Sequence, residues 1–236
     1  MTPTGTLSVT AATRADVDEL AGLIADAFFP LDPSRWLIAD PADRRRVMPA
    51  YFRVFVDYGM FAHVPSRRDA LDGQPFGGGD VYKAVVDGRP VGAAIWLPVV
   101  PGIPELPASY DTALEAATGE WVDRFRDFDV ALEAHHPDDH RTPAHAHLTM
   151  LAVDPAWQGR GIGGAMLRAH HAVLDRRRIP AYLEAADVRS RRLYERHGYR
   201  RLDEPIALPA GGPLMWPMWR DPPRQATVAP ARCIPR

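Results

Sequence analysis

The stretch DPAWQGRGIGG, Asp154–Gly164, follows the apolar run HAHLTMLAV at 145–153 and precedes a helical pattern that begins near Ile162. Gly159, Gly161 and Gly164 fall in a G-x-G-x-x-G spacing. A glycine loop ahead of a helix presents unpaired backbone N–H groups and the positive end of the helix dipole, with no Cβ to hold a phosphate away. A dinucleotide fingerprint uses this physics, and Glu184 lies about twenty residues past the last glycine, where a ribose-binding acid is expected. Two features oppose that reading. Five residues, Asp154 to Gln158, separate the strand from Gly159, whereas the dinucleotide turn is tight. Only one further βα unit and a hairpin then follow, too few to complete a doubly wound sheet. A P-loop reading is weaker still, because no Lys-Ser/Thr follows the glycines.

Working outward, TLSVTA (6–11) has the pattern of a first strand, and Thr13 with Asp16 forms a short helix-capping signal. Leu20, Leu23, Ile24, Ala27 and Phe28 recur at helical spacing, and Val47, Tyr51, Val54 and Phe55 do so within a second helix, Arg44 to Tyr58. Residues 62–80 are rich in turn formers and predict a mobile loop. VYKAVVDGRPVGAAIWLPV contains two β-rich runs around Asp87-Gly88, a hairpin signal. Trp121, Phe125, Phe128 and Leu132 mark one apolar helix face inside 101–144, a helical insertion before the fourth strand. After the glycine loop come a helix, the strand PAYLEAA, the helix RSRRLYERHGY and a strand pair around Gly211-Gly212-Pro213. The pattern predicts one mixed α/β domain over 1–220 and a disordered tail over 221–236.

The bulk properties fit that picture. The 236 residues are 46% hydrophobic with a formal net charge of −2, which gives no nucleic-acid or membrane signature. No signal peptide or apolar span is evident, so a cytoplasmic location is expected. The single cysteine, Cys233, excludes an intramolecular disulfide framework. Lys83 is the only lysine, and arginine carries the remaining side-chain positive charge.

A second signal decides between the readings. RRLYERHGY, Arg191–Tyr199, is a short helix carrying Tyr194 and ending at Gly198. Paired with LAVDPAWQGRGIGGAML, it resembles the GCN5-related N-acetyltransferase (GNAT) family. The Q-x-x-G-x-G core of that family falls on Gln158, Gly161 and Gly163, and its L-Y-x-x-x-G-Y/F element on Leu193, Tyr194, Gly198 and Tyr199. Within the family, YLEA, LYERHGY and GPLMWPMWR are similar in wording to puromycin N-acetyltransferase and its actinobacterial relatives. The resemblance implies a central twisted, mostly antiparallel sheet of about seven strands flanked by helices.

It also implies an acetyl-CoA-dependent enzyme that acetylates a primary amine by direct attack in a ternary complex. The pyrophosphate would rest on Gln158, Gly159, Arg160, Gly161, Ile162, Gly163 and Gly164, and the pantetheine arm would pair with the backbone of Leu151, Ala152 and Val153. Tyr194 matches the family's proton donor to the leaving thiolate, and a backbone N–H near Val153 would serve the oxyanion. The general base is Glu184, or His147, which strict alternation places on a pleat face with Thr149, Leu151 and Val153; solvent-mediated deprotonation needs neither.

Acceptor walls are expected from Trp36, Tyr51, Phe55, Trp96, Trp121, Phe125 and Trp216, with Asp127 or Glu133 as attractors for an ammonium. HHPDDH, His135–His140, is expected to be a solvated connector, and no metal is called for. The acceptor is expected to be a small-molecule amine such as an antibiotic or a biosynthetic intermediate, and a homodimer through the terminal strands is compatible. Protein or peptide acetylation, and a non-catalytic acyl-CoA-binding module on the same fold, are the competing functions.

Overall fold

The computed structural model describes residues 5–61, 80–100, 105–137, 142–202 and 204–223. The loop expected at 62–80 falls almost wholly outside them, as does most of the expected tail. The chain starts with β1 (Ser8–Ala11), a 3-10 turn at Arg14–Asp16 and helix α1 (Val17–Phe28). The Thr13 backbone N–H and hydroxyl both donate to Asp16 Oδ2, at 2.7 and 2.8 Å. The other Asp16 oxygen accepts from Lys83 Nζ at 2.6 Å. The acid that opens α1 therefore also ties it to the sheet. Burial works to raise the Asp16 pKa, but the bonds from Lys83 and Thr13 outweigh it and hold the carboxyl below its usual range.

Helices α2 (Asp32–Leu37) and α3 (Pro41–Phe61) follow, then the hairpin of β2 (Asp80–Val86) and β3 (Arg89–Val99). Asp87 and Gly88 take φ of +50° and +78°, the left-handed pair that a two-residue hairpin with correct strand twist demands. The insertion before β4 (His145–Val153) is two helices, α4 (Tyr110–Thr118) and α5 (Val122–Glu133). The glycine loop then leads into α6 (Ile162–Arg177), β5 (Ala181–Ala185), α7 (Val188–Arg196), two short strands β6 (Arg200–Arg201) and β7 (Ile206–Ala207), and β8 (Leu214–Arg220). The strands form one sheet in the order β1-β2-β3-β4-β5-β8-β6, with β7 also on β8. Every pairing is antiparallel except β4 with β5. No helix among the described residues is long and apolar enough to cross a membrane.

The sheet separates two cores. On one face Ala93, Ile95, Leu97, Met150 and Ala152 pack with Leu20 and Ile24 of α1, with α3, and with Leu114 and Phe125 of the insertion. On the other, Ala94, Trp96, Leu148 and Leu183 pack with Ile162, Met166 and Leu167 of α6 and Tyr194 of α7. Leu20 and Ile24 are fully buried, each contributing about 1.5–3 kcal/mol of transfer free energy.

Strand β4 does not alternate strictly. Its register against β3 runs Ile95↔Met150 and then Trp96↔Leu148, leaving Thr149 as an extra residue in a bulge. The two sides of Thr149 are therefore out of phase. Leu148 lies on the α6 face with Leu151 and Val153, while Met150 and Ala152 lie on the α1 face. His147, opposite Leu97, is thus on the α1 face, and the expectation that it shares a pleat face with Leu151 and Val153 is corrected. Strand β4 also pairs with β5 only at Ala146↔Ala181 and His147↔Tyr182. Past the bulge the two parallel strands part, and one edge of β4 is left unpaired.

Gly92 sets how close α6 can come to the sheet. A Cβ there would stand 2.8 Å from Met166 Cε and 3.1 Å from the Ala152 carbonyl oxygen. Gly92→Val should therefore destabilise the protein by about 1–3 kcal/mol through overpacking. The check is a lower urea midpoint at unchanged slope; a wild-type midpoint would mean that α6 can move off the sheet at no cost.

Candidate active site

The gap between β4 and β5 opens into a cavity of about 1460 Å³. Its floor is the end of β4, the glycine loop and the start of α7; its opposite wall is α1 to α3 and the insertion.

In the loop, Gly159 and Gly161 take φ of +77° and +81°, and a Cβ at either would meet nothing within 4 Å. Glycine is required there by the left-handed backbone, not by lack of space. Gly161 is the N-cap of α6, and the first intrahelical bond runs from the Ala165 N–H to the Gly161 carbonyl at 3.0 Å. The N–H groups of Ile162, Gly163 and Gly164 thus have no helical partner, and these residues line the cavity. Gly164 has a different reason for being small: a Cβ would lie 2.9 Å from His197 Nε2. Gln158 is a brace, donating to the Val153 carbonyl at 3.1 Å and accepting from Arg189 at 3.1 Å. Arg160 turns away from the cavity, bonding to the Ala156 carbonyl and lying over the Trp157 ring.

Leu151, Ala152 and Val153 line the cavity and pair with β3 on one edge only. Tyr194, in the second turn of α7, is 7% exposed and packs against Tyr199. Its hydroxyl makes no hydrogen bond to protein among the described residues, and the side chain lines the cavity. Burial, with the nearby Asp187 charge, raises its pKa, so the phenol stays protonated at neutral pH.

His147 and Glu184 come together, as neighbours on the two strands that part. His147 Nε2 is 2.9 Å from Glu184 Oε2, and Nδ1 is 2.7 Å from Glu105 Oε1. With both ring nitrogens donating to carboxylates, the imidazole is held in its charged form. Burial opposes that charge, but Glu105 and Glu184 outweigh it and raise the His147 pKa well above its ordinary value. Burial likewise favours protonated Glu105, yet His147 dominates and holds that carboxyl down at about 2. Glu184 Oε1 is buried and makes no hydrogen bond among the described residues. His136 joins this group, its Nε2 3.7 Å from Glu105 Oε2 and its ring 5.1 Å from that of His147. The expectation of a solvated connector is corrected for His136, whose side chain is only 9% exposed. His135 is exposed, and His140 lies outside the described residues.

The acceptor wall differs from the expected one. Tyr51 and Phe55 line the cavity with Phe28, Phe52, Tyr110 and Phe128. Trp96 does not: alternation on β3 turns it to the α6 face, where it is fully buried and stacked on His170 at 4.3 Å. Phe125 is fully buried behind Tyr51. Trp121 packs on the same core. Trp36 lies under Arg124 and donates to the Pro209 carbonyl, and Trp216 packs against the α6 core with Arg191 over its ring. Asp127 is exposed and Glu133 lines the cavity. Sequence reasoning missed Glu105, which no spacing relates to His147, and Asp129. The latter had a signal, because it follows Phe125 by four and so sits on the apolar arc of α5.

Residues 129–201 match the acetyltransferase (GNAT) domain family. The chain is 39% identical over 54 residues to an uncharacterised N-acetyltransferase of Schizosaccharomyces pombe, and that stretch spans 23% of each protein. Among solved structures it is similar to a histone acetyltransferase HPA2 and related acetyltransferase of Corynebacterium glutamicum, at 24% identity, TM-score 0.63, 94% of this chain and 99% of that one. It is also similar to the polyamine N-acetyltransferase of Drosophila melanogaster, at 18% identity, TM-score 0.56, 91% of this chain and 98% of that one. The fold is that of the GNAT acetyltransferases.

Asp129 offers a check on the cavity wall. Its carboxylate accepts from the Tyr110 hydroxyl at 2.8 Å, and burial, with Glu133 adding to it, raises its pKa to about 7 despite that bond. A carboxyl raised in the folded state binds more protons folded than unfolded between its two pKa values, so its contribution to stability falls as pH rises from about 4 to about 7. Asp129→Asn should remove that loss and stabilise the protein at pH 8 by on the order of 2 kcal/mol, with little effect at pH 4. Denaturant titrations at the two pH values read the difference; equal effects at both would place Asp129 in open solvent.

Proposed function

We propose that this protein transfers an acetyl group from acetyl-CoA to a primary amine of a small molecule, by direct attack while both substrates are bound. The observation that carries this reading is the convergence of three features on one cavity: a helix N-terminus with open N–H groups, an unpaired β4 edge, and the side chains of Tyr194 and Glu184 in its lining. The pyrophosphate fits the N–H groups of Ile162 to Gly164, where a phosphate is favoured by the dipole and by glycine's lack of a Cβ. The pantetheine amides fit the free edge of Leu151–Val153 as an added strand would. Arg189 and Arg196 line the same end of the cavity.

The nucleophile must be a neutral amine. Glu184 is the group placed to take its proton, because His147 already donates from both nitrogens. As the amine nitrogen bonds to the thioester carbon and the C–S bond breaks, the oxyanion is met by backbone N–H groups on the open edge near Val153. The departing thiolate takes the Tyr194 proton, which the raised pKa keeps on the phenol until a thiolate is there to receive it.

The aromatic wall of Tyr51, Phe55, Tyr110 and Phe128, covered by the insertion, suits a bulky amine such as an antibiotic or a biosynthetic intermediate. The similarity to puromycin N-acetyltransferase in the motif region supports the same class. The Drosophila structure's name adds that the fold serves small polycationic amines too.

Tyr194→Phe should lower kcat by about a hundredfold or more while the Kd for acetyl-CoA stays within about twofold, since the variant keeps the ring and loses only the proton. Glu184→Gln should lower kcat on a similar scale. Calorimetric titration with acetyl-CoA, CoA and NADH, followed by thiol-release assays over an amine panel, tests the whole reading. Saturable binding of the CoA compounds alone supports it; binding of NADH without CoA overturns it.

A further inference from the structure

Two histidines and two glutamates from four separate segments meet at the end of the cavity. Glu105 comes from the chain after β3, His136 from beyond the end of α5, His147 from β4 and Glu184 from β5. The side chains of His136, His147 and Glu184 are 9, 10 and 6% exposed, and that of Glu105 is 22% exposed. Acyl transfer as described above uses Glu184 and needs neither His136 nor Glu105. We infer that Glu105, His136 and His147 form a binding site for one divalent first-row transition metal ion, of which zinc suits the donors best.

The geometry supports this in three ways. One ligand atom from each of the three residues lies within 4.8 Å of the others, a spread that a single ion can close. The donor set, two imidazole nitrogens and one carboxylate oxygen, is that of zinc sites with a coordination position left open, and here that position would face the cavity. The third argument is independent of the first two. His147 points Nδ1 at Glu105, and its opposite nitrogen, Nε2, bonds at 2.9 Å to a second carboxylate, Glu184. A metal-bound histidine characteristically has its far N–H held by a carboxylate, which fixes the tautomer and the ring angle. Ligation at Nδ1 would release the proton that nitrogen carries, as metal binding to a histidine requires, and leave Nε2–H donating to Glu184.

Binding requires a small local movement. Ligand bonds of about 2.0–2.2 Å at tetrahedral angles separate neighbouring donor atoms by roughly 3.4 Å, so the Nδ1–Oε1 distance of 2.7 Å must widen. Glu105 is not part of a helix or strand, so its carboxylate can move without disturbing the sheet. His136 then closes from the other side.

The proposal does not rest on the acyltransferase reading, and its test uses no acetyl-CoA. Tag-free, chelator-stripped full-length protein is titrated with Zn²⁺ in competition with a chromophoric chelator. One equivalent should bind with submicromolar Kd. His136→Ala should weaken it by at least tenfold, and Glu184→Gln, which removes no ligand, by about tenfold to a hundredfold. His135→Ala, an exposed neighbour, should leave it unchanged. Substitution of Co²⁺ into the wild-type protein gives a readout that needs no variant: four-coordinate binding produces intense visible d–d bands. Absence of saturable Zn²⁺ binding, binding that survives in His136→Ala, or a Co²⁺ spectrum like that of the free aquo ion would each overturn the assignment.

Discussion

One extra residue in β4 governs the geometry of this molecule. Thr149 bulges from the β3–β4 ladder, and the pleat changes phase at that point. Residues before it and residues after it can then satisfy opposite demands. Leu148 still reaches the α6 core, Met150 still reaches the α1 core, and His147 is delivered to the cavity instead of being buried beneath α6. The bulge also adds local twist, and β4 loses β5 immediately beyond His147. A continuous parallel ladder would have used the backbone groups of Leu151–Val153 for pairing. Its interruption converts a sheet interior into an internal edge, accessible from the cavity yet guarded by helices on either side.

The same opening makes the electrostatics of the cavity possible. Glu105 and His147 are charged groups in a poorly hydrated place, and each alone would be forced toward its neutral form. Together they hold one another ionised. Because Glu105 follows β3 in the chain, its bond to His147 ties the approach to the insertion to β4. Asp129, from the same insertion, has the Tyr110 hydroxyl as its hydrogen-bond partner among the described residues, and burial without a cationic partner raises its pKa.

Much of the architecture was legible in the sequence because its signals are local. The Asp87-Gly88 hairpin, the limits of β4 and the helix after the glycine loop each follow from turn chemistry or periodicity within ten or so residues. The β-bulge was not legible, since LTM carries no residue that marks a phase change, and the strict alternation assumed for His147 failed for that reason. The aromatic wall failed in a related way. Trp96, Trp121 and Phe125 have the periodicity of buried faces, but periodicity does not say which buried face meets a cavity. Glu105 and His136 gain their meaning from contacts between segments that no spacing connects. The glycine loop and Tyr194, by contrast, are short motifs whose geometry is largely self-contained.

If the proposed function holds, the pairing of Lys83 with Asp16 has a consequence for the handling of an activated thioester. Thioesters acylate exposed amines without assistance, and a protein surface is ordinarily covered with lysines that compete for the acyl group. This chain has one lysine, and its ammonium is held in a partly buried ion pair with a side chain only 20% exposed. The described surface therefore offers a bound acyl donor no loose ε-amine to modify. Stray acylation of lysine would then be limited by composition and by the ion pair that joins the start of α1 to β2.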